Sequence, residues 1–478
     1  MKHPFNGGRM WRGPKVFSLF FEKASSHGMG SEPSDIPLAQ NEPAGHRRLA
    51  WPRWATKRSC TTFVIGPKPM DRGFLKAGHL PTLFAAFLYF DISFMVWVLL
   101  GPLGISIAQD LHLNAAQKGF MVATPVLAGA ILRVVLGAFV DRYGARRVGI
   151  AAQIVVIAGL VTTWFIAPHS YEFMFALALV LGLAGASFAV ALPLASSWYP
   201  PHYQGTALGI AGAGNSGTAL AALFAPGLSV LYGWLNVIGL AAIPLMIVLV
   251  IFIVLAKDSP RRPAARPLSA WLPLLKKADC WWFMFFYSVT FGGFVGLASS
   301  LTIYFNDQYG LAPTWAGTCT ALVVFAGSFV RPVGGAIADR VGGVKALIVF
   351  YIGAAIVFAI VGAGLPSMWL ALPVFILGML ALGMGNGAVF QLVPQHFAHS
   401  IGIMTGLVGM SGGVGGFYLA SSLGASRQLT GSYGPGFLLF SLLAVLALLG
   451  LLYCQRRWRS ASEEAISGAD MGKVAGAA

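Results

Sequence analysis

From Leu80 to Cys454 the chain is a succession of apolar runs separated only by short polar joints, and this leaves few folds open. Each run is roughly 20 residues long, the length at which a helix crosses a bilayer. In lipid such a segment must satisfy its own backbone hydrogen bonds, which a helix does and an isolated strand does not. A closed β-barrel is excluded because the runs are continuously apolar, without in–out alternation. Helices are expected to begin near residues 80, 116, 148, 172, 205, 232, 280, 314, 344, 368, 402 and 434, giving twelve spans. Only 10% of the residues are charged, against about 25% in soluble domains, so most of the chain must be solvated by lipid.

The net charge of +16 first suggests a nucleic-acid partner, but its distribution argues against one. Lys and Arg crowd the first 76 residues, the Arg142–Arg147 loop, the Lys257–Lys277 linker and the Arg456–Arg459 tail. With twelve spans all four fall on one side, which is the positive-inside pattern of a multi-pass inner (plasma) membrane protein with both termini cytoplasmic. Those charges then face anionic lipid. The four cysteines (Cys60, Cys280, Cys319, Cys454) lack paired spacing and read as inert thiols. Five of the nine histidines (His112, His169, His202, His396, His399) fall at expected helix ends, and no metal or redox motif is present. No cofactor is expected, no G-x-x-x-x-G-K-[ST] loop suggests an ATP-driven pump, and no catalytic constellation suggests an enzyme.

Residues 1–75 are polar, basic and rich in Ser, Pro and Gly, and read as a disordered cytoplasmic tail or as an overlong translation start ahead of Met70. The remainder is an internal duplication. Shifted by 198 residues, Val126–Gly144 falls on Val324–Gly342 with ten identities in nineteen positions. Residues 76–256 form one six-helix half, 257–279 a cytoplasmic linker, 280–456 the second half and 457–478 a tail. The expected fold is thus an all-α membrane protein of two pseudo-symmetric halves.

The duplication pairs Arg133 with Arg331, each inside an apolar run and eight residues before an Asp-Arg pair (Asp141-Arg142 and Asp339-Arg340) at its end. Eight residues of helix rise roughly 12 Å, close to half of a hydrocarbon core roughly 30 Å thick. A charge at that depth costs about 2.5 to 3.5 kcal/mol on insertion scales, so it demands a reason. Related by a twofold along the membrane normal, the two guanidinium groups face one central cavity and make a site for a small anion. Their planar donor forks suit a planar oxyanion in bidentate fashion, where lysine offers only a point charge.

Helix five carries Gly209, Gly212, Gly214 and Gly217, and helix eleven carries Gly406, Gly409, Gly412 and Gly415. Glycines at spacings of three and four clear a face for close helix approach and sliding. Asn215 between them is an amide that packing does not require and that suits an anion. Asp91 lies about eleven residues into helix one, near the midplane by the same rise. Desolvation favours its neutral form and a nearby arginine its charged form. It is therefore either a proton-coupling residue or a permanent partner of an arginine or helix cap. Asn386 and Gln391 are further candidates to line the cavity from helix ten.

The run Gly137–Arg147 resembles the G-x-x-x-D-R-x-G-x-R-R loop motif of the major facilitator superfamily and recurs, degraded, as Gly335–Lys345. The glycine-rich helices, the first with G-x-G-N-x-G, and one arginine in each of helices two and eight resemble the nitrate/nitrite porter family within it. The stretch Ser196–Gly209 is similar to the family's loop before helix five, but carries Pro and His where a basic residue is common. The resemblance implies a gating role for Asp141, Arg142, Asp339 and Arg340. It implies that Arg133 and Arg331 bind nitrate with Asn215 nearby, between aromatic rings best matched by Phe188 and Phe294, with Phe291 as a substitute for the latter. The expected function is nitrate import by alternating access with protons, in nitrate assimilation, by a monomer that handles nitrate and/or nitrite. Nitrate/nitrite exchange, a non-transporting nitrate receptor and a carrier for another solute are the alternatives.

Overall fold

The computed structural model describes residues 72–167, 169–260, 272–397 and 400–475. Among them are twelve helices long and apolar enough to cross a membrane, numbered here α1 to α12. They are Leu80–Asp110, Ala115–Tyr143, Ala145–Ile166, Tyr171–Ser196, Thr206–Tyr232, Trp234–Leu255, Ala278–Tyr309, Pro313–Val341, Gly343–Ala363, Met368–His396, Gly402–Thr430 and Gly434–Ser460. No strand occurs among the described residues. The expected starts are met within three residues, the largest difference being Ala145 against 148.

The joints are short because local chemistry stops and restarts each helix. Asn114 and Gln117 form a reciprocal capping box at the start of α2, with bonds of 2.9 and 3.0 Å. Gly144 and Gly342 end α2 and α8 at φ 91° and 94°, a backbone that only glycine adopts without strain. The duplication is therefore visible in dihedral angles as well as in letters. Phe165, Trp369 and other large apolar side chains stay exposed on the outer surface, as lipid-facing residues should be. α7 is the most enclosed helix and α3 the least.

Four spans are interrupted, α6 only at Ala241, between Trp234–Leu240 and Ala242–Leu255. α1 divides into Leu80–Trp97 and Leu100–Asp110, and α4 into Tyr171–Gly185 and Phe188–Ser196. α5 contains a 3-10 turn, Ala213–Ser216. Such turns leave carbonyls without their usual helical partner and mark hinges.

The two sets of six helices touch at one end and stand apart at the other. Away from the Asp141–Gly144 turn, a Cβ on Gly119 of α2 would lie 2.7 Å from Gly424 Cα of α11. There too Gly317 of α8 lies on the Ala222 carbonyl and Pro226 of α5, and Gly101 of α1 on the Ser299 backbone of α7. Toward the Asp141 end, a Cβ on Gly209, Gly212 or Gly402 would meet no atom within 4 Å. The molecule is thus closed at one face and open at the face bearing the loop motif.

Two boundaries differ from the sequence expectation. Arg72–Ala77, whose first four residues fall in the expected tail, is a helix, because Phe74 buries its ring in a stack on Tyr199 at 4.7 Å. The α12 helix continues past residue 456, where Arg457 pairs with Asp279 and the Trp458 indole donates to the same carboxylate at 3.2 Å. The rest of the expected tail at 1–71, including Cys60, lies outside the described residues, as does His399.

Candidate functional site

Arg133 is 2% exposed, at the level where the two halves meet. Its Nη1 donates to the Gly409 carbonyl of α11 at 2.5 Å and its Nη2 to the Gly185 carbonyl of α4 at 3.1 Å. Gly185 ends the first segment of α4, so its carbonyl is available because the helix breaks there. Glycine at 409 leaves just enough room: a Cβ would sit 3.3 Å from Arg133 Nη1 and 3.5 Å from the Phe188 ring. The guanidinium carbon lies 4.8 Å from the Phe188 ring centre, 5.9 Å from Trp97 and 6.0 Å from Phe291, distances of cation–π attraction. Arg133 Nε is buried without a partner.

Arg331 is held more loosely. It is half-buried, its Nη2 donates to the Tyr287 hydroxyl at 3.4 Å, and its Nη1 has no partner. Its guanidinium lies 5.4 Å from the Phe390 ring. Tyr287 stacks on Phe291 at 5.1 Å with planes 4° apart and meets Phe390 edge-on at 4.9 Å. Phe390 in turn approaches Phe188 at 6.3 Å. Four rings, Phe188, Phe390, Tyr287 and Phe291, thereby join the two arginines into one aromatic-walled layer. The glycines of α11 make the layer possible, since a Cβ on Gly412 would lie 2.7 Å from Phe291 Cδ1 and 2.8 Å from Tyr287 Cδ1.

Phe291, not Phe294, is the α7 ring that borders Arg133. Phe294 is 1% exposed and stacks behind Phe291 at 6.0 Å, because three residues of helix carry it roughly 4.5 Å further along the axis on the same face. Tyr287, Phe390, Trp97 and the Gly185 carbonyl had no sequence signal as isolated residues. Helical spacing offered one: Tyr287 lies four residues before Phe291, and Phe390 four after Asn386, which places each pair on one face.

Asn215 is 1% exposed in the 3-10 turn of α5, and its Oδ1 has no partner; Asn386 is equally buried with its Oδ1 unpartnered. Gln391 directs its Oε1 against Gly343 at the start of α9, so it faces a helix junction and not the arginine layer. Asp91 is 6% exposed and accepts a hydrogen bond from the Ser216 hydroxyl at 2.7 Å. Among the described residues it forms no ion pair, so the arginine-partner reading of Asp91 is not met in this state. It sits where α5 presses hardest on α1, with Gly214 against Phe90 and Gly217 against the Asp91 backbone. Gly209 and Gly212 differ from the packing role expected of them, because they face the open side. Gly406 is half-buried and Gly415 lies on the Ser288 backbone. Asp141, Arg142, Asp339 and Arg340 are exposed at the ends of α2 and α8, Arg142 lying 5.4 Å from the Tyr143 ring.

The Major Facilitator Superfamily profile matches residues 83–420. The chain is 35% identical over 365 residues to the "Probable nitrate/nitrite transporter NarK2" of Mycobacterium tuberculosis, covering 74% of this chain and 91% of the relative. It is 31% identical over 411 residues to the "Probable nitrate/nitrite antiporter NarK1" of Thermus thermophilus, covering 78% and 90%. Its fold matches the crystal structure of a D-xylose-proton symporter with a TM-score of 0.66 at 15% identity, over 78% of this chain and 97% of that one. Twelve apolar helices, a duplicated loop motif and this kinship make it a multi-pass membrane transporter and not an enzyme: the chain belongs to the nitrate/nitrite porter family of the major facilitator superfamily.

Proposed function

We propose that the protein imports nitrate across the inner membrane by alternating access, driven by protons, as a monomer with both termini in the cytoplasm. One observation carries the reading: two guanidinium groups share an aromatic-walled layer, with Arg133 Nε and Arg331 Nη1 both lacking a partner. A planar trigonal anion accepts such donors edge-on while flat rings cover its faces. The names of the relatives support nitrate or nitrite as that anion.

Without anion, two positive charges confront each other across the layer and favour separation. Nitrate between them offsets that repulsion and binds best when the halves close on it, so substrate shifts the equilibrium through its differential affinity. Asn215 adds an amide to the cavity, and Asp141, Arg142, Asp339 and Arg340 close the face that is open here. Entry of an anion into a negative-inside cell needs a driving force, and Asp91, a carboxyl inside the membrane that accepts from the Ser216 hydroxyl and the Gly217 amide and has no ion-pair partner among the described residues, is the carrier proposed for the proton.

The test is nitrate uptake by proteoliposomes, with an imposed pH gradient or with internal nitrite. Uptake should follow the pH gradient. Uptake that needs internal nitrite and ignores the gradient would instead establish exchange, the second reading, which the antiporter name of the Thermus relative favours. No nitrate flux under either condition would remove the substrate assignment.

A further inference from the structure

The face that is closed in this structure carries a polar clamp which the anion site does not use. Lys118 Nζ, at the start of α2, donates to Asp307 Oδ2, near the end of α7, at 2.6 Å. The Tyr433 hydroxyl, between α11 and α12, donates to the same oxygen at 2.8 Å. The ion pairs His169–Asp110 and Arg457–Asp279 each stay within one half, whereas Lys118–Asp307 joins the two. Beside it the Ala115 amide donates to Gln428 Oε1 at 3.2 Å, and Gly119 lies against Gly424.

We propose that Lys118, Asp307 and Tyr433 are the gate of this face, a set of positioning residues that fixes how often the transporter opens there. Three observations carry the assignment. The side chains of Lys118 and Asp307 are only 17% and 18% exposed, so the pair is shielded from the screening that makes surface ion pairs weak. Tyr433 holds Asp307 from within its own half, so the bond that must break on opening is the one to Lys118. Lys118 lies fifteen residues before Arg133, roughly 22 Å along α2, so it acts on the halves and not on the anion. When the face opens, both ions return to water, and the loss of their mutual bond is the barrier that nitrate-driven rearrangement overcomes. The inference rests on the alternating-access reading, but not on the identity of the anion.

The experiment uses the full chain in vesicles and needs no nitrate. Ser299 is 1% exposed, and its backbone lies against Gly101 across the seam, so Ser299→Cys reports opening of this face to a membrane-impermeant thiol reagent. Ala312→Cys, exposed at the same end, marks the side from which the reagent enters, and the parent chain sets the background from native cysteines. Asp307→Asn and Lys118→Met should each raise the labelling rate of the reporter about tenfold, a shift typical of coupling between two states. Tyr433→Phe should raise it about threefold, the loss of one hydrogen bond. Exchanging the charges, Lys118→Asp with Asp307→Lys, should return labelling to within about threefold of the slow rate, the remainder being the lost Tyr433 bond, while Ala312→Cys labels as before. Unchanged labelling in the single variants overturns the gate. So does labelling that stays fast in the exchanged pair, because disruption of packing would then be the cause. Altered labelling with no nitrate uptake would leave the gate standing and remove the substrate assignment alone.

Discussion

Arg133 and Arg331 occupy equivalent positions of a duplicated sequence and have unlike surroundings. Arg133 is locked by two carbonyls and three rings, whereas Arg331 has one hydroxyl and one ring. Lysine keeps the charge at either position but loses the fork. Arg133→Lys also leaves the Gly185 and Gly409 carbonyls without their present donor. Charge-assisted bonds of this kind contribute about 1.5 to 3 kcal/mol each. Nitrate affinity should therefore fall about tenfold to a hundredfold in Arg331→Lys, and further in Arg133→Lys, as measured by calorimetric titration in detergent. Equal affinity in both variants and the parent would dismiss the two-arginine site. Asp91→Asn keeps the size and the Ser216 contact while removing the titrating group. Uptake in that variant should persist down a nitrate gradient but no longer respond to an imposed pH gradient; a retained response would clear Asp91 of proton coupling. The sequence placed both arginines and Asp91 by depth alone. Between Phe294 and its substitute Phe291 the sequence left the α7 ring open, since the choice depends on how far along its axis α7 meets Arg133.

The glycine-rich helices show two uses of one residue type. Gly217 lies on the Asp91 backbone with no space for a Cβ, so Gly217→Ala forces α1 and α5 apart. Overpacking of this kind costs about 1 to 3 kcal/mol, and the melting temperature in detergent should drop. Gly209 faces open space, so Gly209→Ala should hold or raise that temperature, because alanine favours helix by about 0.5 to 1 kcal/mol. The same variant should slow nitrate transport several-fold if closing the Asp141 face brings α5 against a neighbour. Parent-like turnover with parent-like stability would mean that Gly209 has no role in closure. Helix starts were legible to within three residues because lipid enforces long apolar runs. The breaks in α1 and α4 were not legible. Each depends on contacts such as the Trp97 indole donating to the Pro125 carbonyl at 2.8 Å and lying against Gly129 and Gly185.

As a whole, the molecule is open at the face of the Asp141 turn and sealed at the other. A cysteine at Gly209, which is partly exposed and has nothing within 4 Å of its Cβ direction, should label quickly from the open face. Saturating nitrate should slow that labelling several-fold as the halves close, in proportion to the differential affinity of the two states. Labelling indifferent to nitrate would argue against substrate-driven closure. The sequence by itself determined the number of spans and the duplication, because lipid solvation acts locally and leaves its mark in every run. Only the tertiary structure decided which face is open, which four rings wall the layer and which carbonyls hold Arg133. Those features arise where α2, α4, α7, α8, α10 and α11 meet, and contacts between helices distant in the chain carry no local signature.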